Sequence, residues 1–445
     1  MIQQCILQVL EPIMEAKFHN NSNGFRPNKS TESAIAQLGN YIYRNKCYYV
    51  VDIDIKGFFD NVNHGKLLKQ LWAMNIQDRK LLKIISLMLK AEIMGEGIPE
   101  KGPPQGGILS PLLANVVLNE LDWWLSNQWM TYHTKKEFKQ YVRKNGTICS
   151  YERAWLRKNT KLKEFYFVRY ADDFKIICKS YQDAVKLKIA TINWLGERLG
   201  LEVSEEKTKI VNLKRNYSDF LGLKIKVRKK NKNSRYTIIS HISDKARKRV
   251  KKEIKDNLKD IRKSINPKEI SDNIDKYNQS IIGIHQYYNK ATYISVDMAN
   301  ITRQLYRPLK KTLKETIELQ LPTSLNNGFI ENTYGKSKCL KKLYGKYVVP
   351  IGYVKYKQPM IEKNSVCKYS KIGRKEIHTG LECMNYETIY DIVNNPFDNE
   401  TMELNDIIVP KLASQYGKCY ISDVEIFTNN IDFIRKNDKI SDKDK

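Results

Sequence analysis

Along residues 2–18 the side chains Ile6, Leu7, Leu10, Ile13, Met14 and Phe18 recur at helical spacing, which predicts that the chain opens inside an amphipathic helix. A turn-rich stretch, Ser22-Asn23-Gly24-Phe25-Arg26-Pro27-Asn28-Lys29-Ser30, leads into a second helix over 31–44. The pattern then changes. Residues 48–54 form a nearly continuous apolar run that reads as a buried strand ending near Asp54, with a turn or helix start behind it. A Pro/Gly-rich loop from Gly97 to Pro111 introduces an apolar helix, Leu112 to Trp124. From Phe165 to Cys178, two runs rich in aromatic and branched residues flank Asp172 and Asp173, the pattern of strand, tight turn, strand. A helix over 181–199, a strand near 210 and a small hairpin around 219–225 follow. Ala246, Val250, Ile254, Leu258, Ile261 and Ile265 make one apolar stripe behind Ser243 as N-cap. Helical patterning continues through 281–292 and 298–319, so an all-α region is expected over 240–322. Beyond Pro322 the chain is loop-rich, and the charged tail from Asn429 is expected to fray.

The 445 residues allow two or three domains with substantial cores. A formal net charge of +28, from 77 Lys+Arg against 49 Asp+Glu, makes a polyanion the obvious partner. Twenty-seven tyrosines beside that charge fit nucleic-acid binding, where rings stack on bases and cations meet phosphates. The eight cysteines are scattered with no C-x-x-C pair, which argues against structural zinc and a disulfide framework and for reduced, cytoplasmic thiols. No stretch approaches the roughly 18–20 apolar residues needed to cross a bilayer, and no signal peptide is recognisable. The expectation is a soluble, intracellular protein without a membrane partner.

Two adjacent carboxylates at a hairpin tip can share a hard divalent cation such as Mg²⁺, or can simply be polar turn residues. Adjacent aspartates point to different sides of an extended chain, so a two-metal site needs a third carboxylate from elsewhere. Asp54 is the better candidate, where the strand gives way to the turn between Ile53 and Ile55. Asp52 is read as solvent-exposed and Asp60 as a helix cap. In the loop Lys101-Gly102-Pro103-Pro104-Gln105-Gly106-Gly107, glycines allow close approach of a backbone or a nucleotide, and Gln105 can hydrogen-bond a substrate. Residues 126–164 are basic and read as a surface insertion. From 224 to 263 there are 17 Lys/Arg against four acids, an excess that favours RNA phosphate contacts.

The order of these segments carries more information than any one of them. Gly24-Phe25-Arg26-Pro27, Asp54-Ile55-Lys56-Gly57-Phe58-Phe59-Asp60, Pro104-Gln105-Gly106-Gly107-Ile108-Leu109-Ser110-Pro111, Tyr170-Ala171-Asp172-Asp173, Gly200-Leu201 with Lys207-Thr208, and Phe220-Leu221-Gly222 resemble successive reverse transcriptase motifs. Their wording is similar to group II intron-encoded proteins. Tyr277-Asn278, Gly283-Ile284-His285-Gln286-Tyr287-Tyr288 and Ala291-Thr292 resemble the thumb, or maturase, domain of that family.

The resemblance implies an α+β fold: a right-hand polymerase with partial fingers and an antiparallel-sheet palm over 1–230, a helical thumb/maturase domain over 231–325, and a loop-rich DNA-binding region over 326–445. It implies an RNA-directed DNA polymerase that copies intron RNA and assists its splicing. The alternative is a polymerase-impaired maturase that acts only as an RNA-binding splicing cofactor. Asp54, Asp172 and Asp173, with the Ile55 carbonyl, would hold two Mg²⁺, one activating the primer 3′-hydroxyl and one stabilising the triphosphate and leaving pyrophosphate. Phe59 would exclude ribonucleotides, Gln105 would contact the incoming nucleotide, and Lys207 would donate a proton to the leaving group. Arg26 and Tyr170 would lie at the template and primer. The partners so implied are group II intron RNA, a DNA primer or target and dNTPs, in a bacterial, nucleoid-associated setting; oligomeric state is left open. Further fingers segments of the family would precede residue 1. Leu412 to Cys419 is similar to the entry of an HNH endonuclease module, but Cys419 has no partner at the expected spacing and no histidine follows His378, so no DNA cleavage is expected.

Overall fold

The computed structural model describes residues 1–92, 97–103, 106–142, 148–230, 236–313, 327–361, 369–373 and 386–395, with 408–409, 411–412, 417 and 426 beyond them. The chain divides into two compact units, Met1–Ser243 with Gln358–Glu362, and Asp244–Lys357 with Lys363–Lys445. The division falls after residue 243 rather than 230 because the last strand before it is tied into the first unit.

The first unit begins with α1 (Ile2–Glu15) and α2 (Thr31–Asn45), the latter started by Ser30, whose hydroxyl accepts from the Ser33 amide. Strand β1 (Tyr49–Ile53) follows, then α3 (Phe58–Asn61), α4 (His64–Ala73), α5 (Arg79–Leu89) and the long α6 (Ser110–Gln128). Strands β2 (Gln140–Val142) and β3 (Ile148–Ser150), with helix α7 (Glu152–Asn159), make up much of the basic insertion. Its cations are partly structural: Arg153 donates to the carbonyls of Trp129, Met130 and Tyr132, and Arg157 pairs with Glu164 at 2.7 Å. Next come β4 (Phe165–Tyr170), β5 (Asp173–Cys178), α8 (Tyr181–Trp194) with a π-turn at Leu195–Leu199, and β6 (Lys209–Asn212). Strands β7 (Ser218–Phe220), β8 (Leu223–Lys229) and β9 (Tyr236–Ile242) form a second sheet, and the β8–β9 pairing is what carries the unit to residue 243.

The main sheet has the order β4-β5-β1-β6, all antiparallel. Its central strands are buried on nearly every residue, so they read as continuous apolar runs rather than alternating ones. Val51, Ile53, Phe167, Phe174 and Ile176 join Leu113, Val117, Leu121 and Leu125 of α6 and Leu10 and Met14 of α1 in one core. Helix α6 is buried on most of its faces, as a helix in the middle of a domain must be.

Asp52, expected in solvent, is only 9% exposed. It sits opposite Lys175 in the β1–β5 register, and Lys175 Nζ reaches its Oδ1 at 2.7 Å while the Ser218 hydroxyl donates to the same atom at 3.0 Å. Asp60 lies within α3, which has Gly57 at its N-cap.

The second unit, by itself, is built on α9 (Asp244–Lys263) and α10 (Pro267–Tyr288), followed by α11 (Ile294–Gln304), α12 (Tyr306–Thr312) and α13 (Asn327–Tyr334). Helix α9 buries Ala246, Val250, Ile254, Leu258 and Ile261 as the stripe predicts, but it ends at Lys263 and leaves Ile265 93% exposed. The hairpin β10 (Lys341–Leu343) and β11 (Lys346–Val348) packs against α10, so residues 341–351 belong with the helices rather than with a separate C-terminal region. Asn278 receives the Val349 amide and donates to the Tyr347 carbonyl, Tyr277 donates to the Val349 carbonyl, and His285 bonds Ile351 O and Tyr334 Oη. These residues, expected from the sequence to belong to a thumb, hold the second unit together. Most of 362–445, including Cys419, lies outside the described residues.

Lys175→Met leaves a buried carboxylate without its cation, held only by the Ser218 hydroxyl, and should cost about 3–5 kcal/mol, whereas Asp52→Leu with Lys175→Met should recover much of that loss. Chemical denaturation of the two variants decides it; a single-variant cost below about 1 kcal/mol would mean that the pair contributes little.

Candidate active site

The hairpin tip is defined by the end of β4 and the start of β5, where Tyr170 faces Asp173 and Ala171 adopts a left-handed φ of 57°. A non-glycine residue there needs outside support. Arg169 supplies it. Its guanidinium is 1% exposed, holds Asp122 at 2.6 Å and donates to Asn115 Oδ1 (3.0 Å), Ser22 Oγ (2.7 Å) and the Ala171 carbonyl (2.8 Å). The loop before α2 is stitched to the same strand, because the Asn23 amide donates to Arg169 O and the Arg169 amide to Asn21 O. Gly24 then presses on the turn: a Cβ at this position would lie 2.2 Å from the Ala171 nitrogen, so only glycine fits.

Helix α6 presents a polar seam at Asn115, Asn119, Asp122 and Ser126, all buried. Asn115 donates to the Gly24 carbonyl, Asn119 accepts the His19 amide and Asp122 takes Arg169. His19 Nδ1 accepts the Asn21 amide, so Nε2 carries the proton toward Ser126 Oγ at 2.9 Å, and burial holds this ring below the usual imidazole range. The 4-3-4 spacing of the seam is visible in the sequence, but the partners it meets are not.

Arg26, expected at template or primer, faces inward instead. It is 9% exposed, pairs with buried Glu15 at 2.9 Å and donates to the carbonyls of His19 and Ser22, so its part is to fold the loop that carries Gly24 and Phe25. Phe25 itself is 48% exposed, has a φ of 54°, and meets Phe59 edge to face at 6.5 Å. Phe59 is half-buried beside Phe58. Gly102 packs on the Phe59 backbone, where a Cβ would be 2.5 Å from the carbonyl oxygen, and its amide donates to Val62 O. The close approach expected of the Pro/Gly-rich loop is thus to the Phe59 main chain. Gln105 lies outside the described residues.

Asp54 stands one step beyond the last β1–β5 ladder pair, Ile53 with Phe174, and so opposite the Asp173 end of the hairpin. Its carbonyl accepts from the Ser204 amide, Ile55 bridges Val203, and the Lys56 amide donates to Glu202 O. This ladder brings Lys207 Nζ to 3.1 Å from Asp54 Oδ2, an exposed pair. Asp173 is pushed up to about 6, first by burial and then by the negative charges of Asp52, Asp172 and Asp54, with Lys175 opposing. Since its ordinary value is 3.8, ionised Asp173 disfavours the fold, and this cost grows as pH rises from about 4 through 6. A bound cation would remove it.

Among the described residues no group of three or more His, Cys, Asp or Glu is placed to hold a metal ion by itself. The donor set nevertheless suits a hard cation: oxygen ligands only, carrying a mutual repulsion felt at Asp173. Mg²⁺ is commonly bound by one or two carboxylates together with substrate phosphates rather than by a complete protein cage. Tyr170 is half-exposed at the end of β4. The support residues Arg169, Asp122 and Asn115 were not apparent from the sequence, since each is unremarkable in its own segment.

A sequence profile described as reverse transcriptase (RNA-dependent DNA polymerase) matches residues 1–225. Protein YkfC of Escherichia coli is 30% identical over 255 residues, covering 55% of this chain and 65% of YkfC. Group II intron-encoded protein LtrA of Lactococcus lactis subsp. cremoris is 32% identical over 261 residues, covering 52% of this chain and 43% of LtrA. Nuclear intron maturase 1, mitochondrial, of Arabidopsis thaliana is 23% identical over 279 residues, covering 48% and 38% respectively. The chain therefore spans less than two thirds of the length of these relatives.

In metal-free protein the Asp173 carboxyl should titrate near 6, and Asp54→Asn or Asp172→Asn should each lower that midpoint by removing a like charge. Carbon-detected NMR of labelled aspartate measures it; a midpoint unmoved by both variants would mean that the three carboxylates do not converge.

Proposed function

We propose, for a chain that belongs to the reverse transcriptase (RNA-dependent DNA polymerase) family, that it extends a DNA primer on an RNA template and binds group II intron RNA to assist its splicing. What supports the polymerase reading is the place of Asp54, one step past the Ile53–Phe174 pair and so opposite the Asp173 end of the hairpin, where burial first and the neighbouring carboxylates after it raise the Asp173 pKa. The relatives named as an intron-encoded protein and an intron maturase support the splicing part.

In this reading Asp54, Asp172 and Asp173, with the Ile55 carbonyl, supply oxygen ligands for two Mg²⁺. When bound, such ions supply Lewis acidity at the primer 3′-hydroxyl and offset charge on the triphosphate. Lys207, which neutralises Asp54 in this structure, turns to the leaving pyrophosphate and donates a proton there. Phe59, backed by Phe25, excludes the 2′-hydroxyl of a ribonucleotide. Gln105 contacts the incoming dNTP, and Tyr170 lies at the primer end. No helix among the described residues is long and apolar enough to cross a membrane.

RNA binding falls to α9. Its exposed Lys245, Lys248, Arg249, Lys252, Lys255 and Lys259 follow one another at helical spacing on the side away from the buried stripe. A binding-only maturase is the second reading, favoured by the strength of this cationic face.

Primer extension on an RNA template separates the two. Asp172→Ala should reduce extension by about 10²–10³-fold or more while RNA affinity stays within about threefold of wild type. That affinity should fall steeply with salt as counterions are released. Extension in neither wild type nor variant, alongside intact RNA binding, would leave only the splicing-cofactor role.

A further inference from the structure

Between helices α9 and α10 an open surface cleft of about 280 Å³ lies within the second unit, lined by Arg249, Glu253, Gln279, Ser280, Gly283 and Tyr287 among others. Two observations suggest that it is kept open for a ligand. First, Gly283 lies in the body of the 22-residue helix α10, where glycine is a poor helix former, yet a Cβ there would meet nothing within 4 Å. Packing does not require this glycine, and the helix surface above it is open. Second, the walls carry matched recognition groups. Tyr287 presents a ring that is 42% exposed, braced edge to face on buried Tyr288 at 4.8 Å. Ser280 donates to Glu253 at 2.7 Å and fixes that carboxylate, and Arg249 Nη2 lies 3.4 Å from the Tyr288 hydroxyl.

We infer that this cleft takes a single unstacked RNA base, while the lysines of α9 on either side of it hold the adjoining phosphates. The inference rests on the RNA-binding reading given above and assigns it a site. A planar ring on which to stack, an arginine, and an amide, a hydroxyl and a carboxylate to meet a base edge are what single-stranded RNA recognition uses. Glu253 is informative because it is an acid within a cationic face. A carboxylate repels phosphate but accepts from the amino edge of a base, so the preferred ligand carries an exocyclic amine. A free nucleotide would not need the rest of the face. The exposed cations run from Lys245 to Lys259, about 21 Å at 1.5 Å per residue, which matches a strand of several phosphates.

The test uses the full chain and two hairpin RNAs that differ only in one unpaired 2-aminopurine. Wild type should bind the bulged hairpin about tenfold more tightly, the scale of one stacked base, and quench its fluorescence. Gly283→Leu, which fills the cleft with a better helix former, and Tyr287→Ala should both abolish the preference and the quenching while leaving affinity for the paired hairpin unchanged. Lys252→Gln should weaken both hairpins and make their salt dependence shallower. A preference that survives in Gly283→Leu overturns the assignment, as does a wild type that binds both hairpins equally, with RNA binding itself intact. A wild type that binds neither hairpin overturns the RNA-binding reading along with it.

Discussion

One buried guanidinium holds the candidate site in shape. Arg169 and Asp122 are each about 1% exposed, and two charges taken that far from water are tolerable only when both are paired and their remaining hydrogen-bonding capacity is filled. Here it is filled by Asn115, Ser22 and the carbonyl of Ala171. The last of these matters most, because Ala171 is the left-handed residue that turns the chain between Tyr170 and Asp173. The pair therefore links the central helix α6 to the geometry of the two carboxylates, and through Gly24 and Phe25 to the ring of Phe59.

That rigid support sets up an electrostatic conflict. Asp52 is neutralised locally by Lys175, but Asp173, half-buried at the hairpin tip, still feels the negative charges of Asp52, Asp172 and Asp54. Lys207 against Asp54 offsets part of the repulsion, and the pair is exposed enough for the lysine to exchange for another cation. Among the described residues the arrangement is incomplete as a metal site by itself.

Much of this was legible in the sequence because it depends on local pattern. The hairpin at 165–178, the strand ending before Asp54 and the helix at 31–44 match the structure to within a residue or two, since period and caps are short-range signals. Helices α4 and α5 carried caps at Asn63 and Asp78 that the apolar pattern alone did not bring out. What the sequence could not disclose is pairing at a distance. Asp52 looks like a solvent residue until Lys175, far along the chain, arrives across the ladder. Arg26 looks like a template or primer contact until Glu15 claims it, and Asn115 and Asp122 look like polar interruptions of an apolar helix until Arg169 reaches them. Ile265 shows the converse: a residue in phase with a buried stripe is exposed because the helix has already ended.

If the Arg169–Asp122 pair is what fixes the turn, weakening it should loosen the hairpin before it loosens the rest of the sheet. Amide hydrogen exchange in Asp122→Asn tests this most directly, read at Asn23 and Arg169, whose amides cross-link the loop to β4. The expected result is exchange faster by about tenfold or more at those two amides, with the β1–β5 ladder unchanged. Unchanged protection at both would contradict the account.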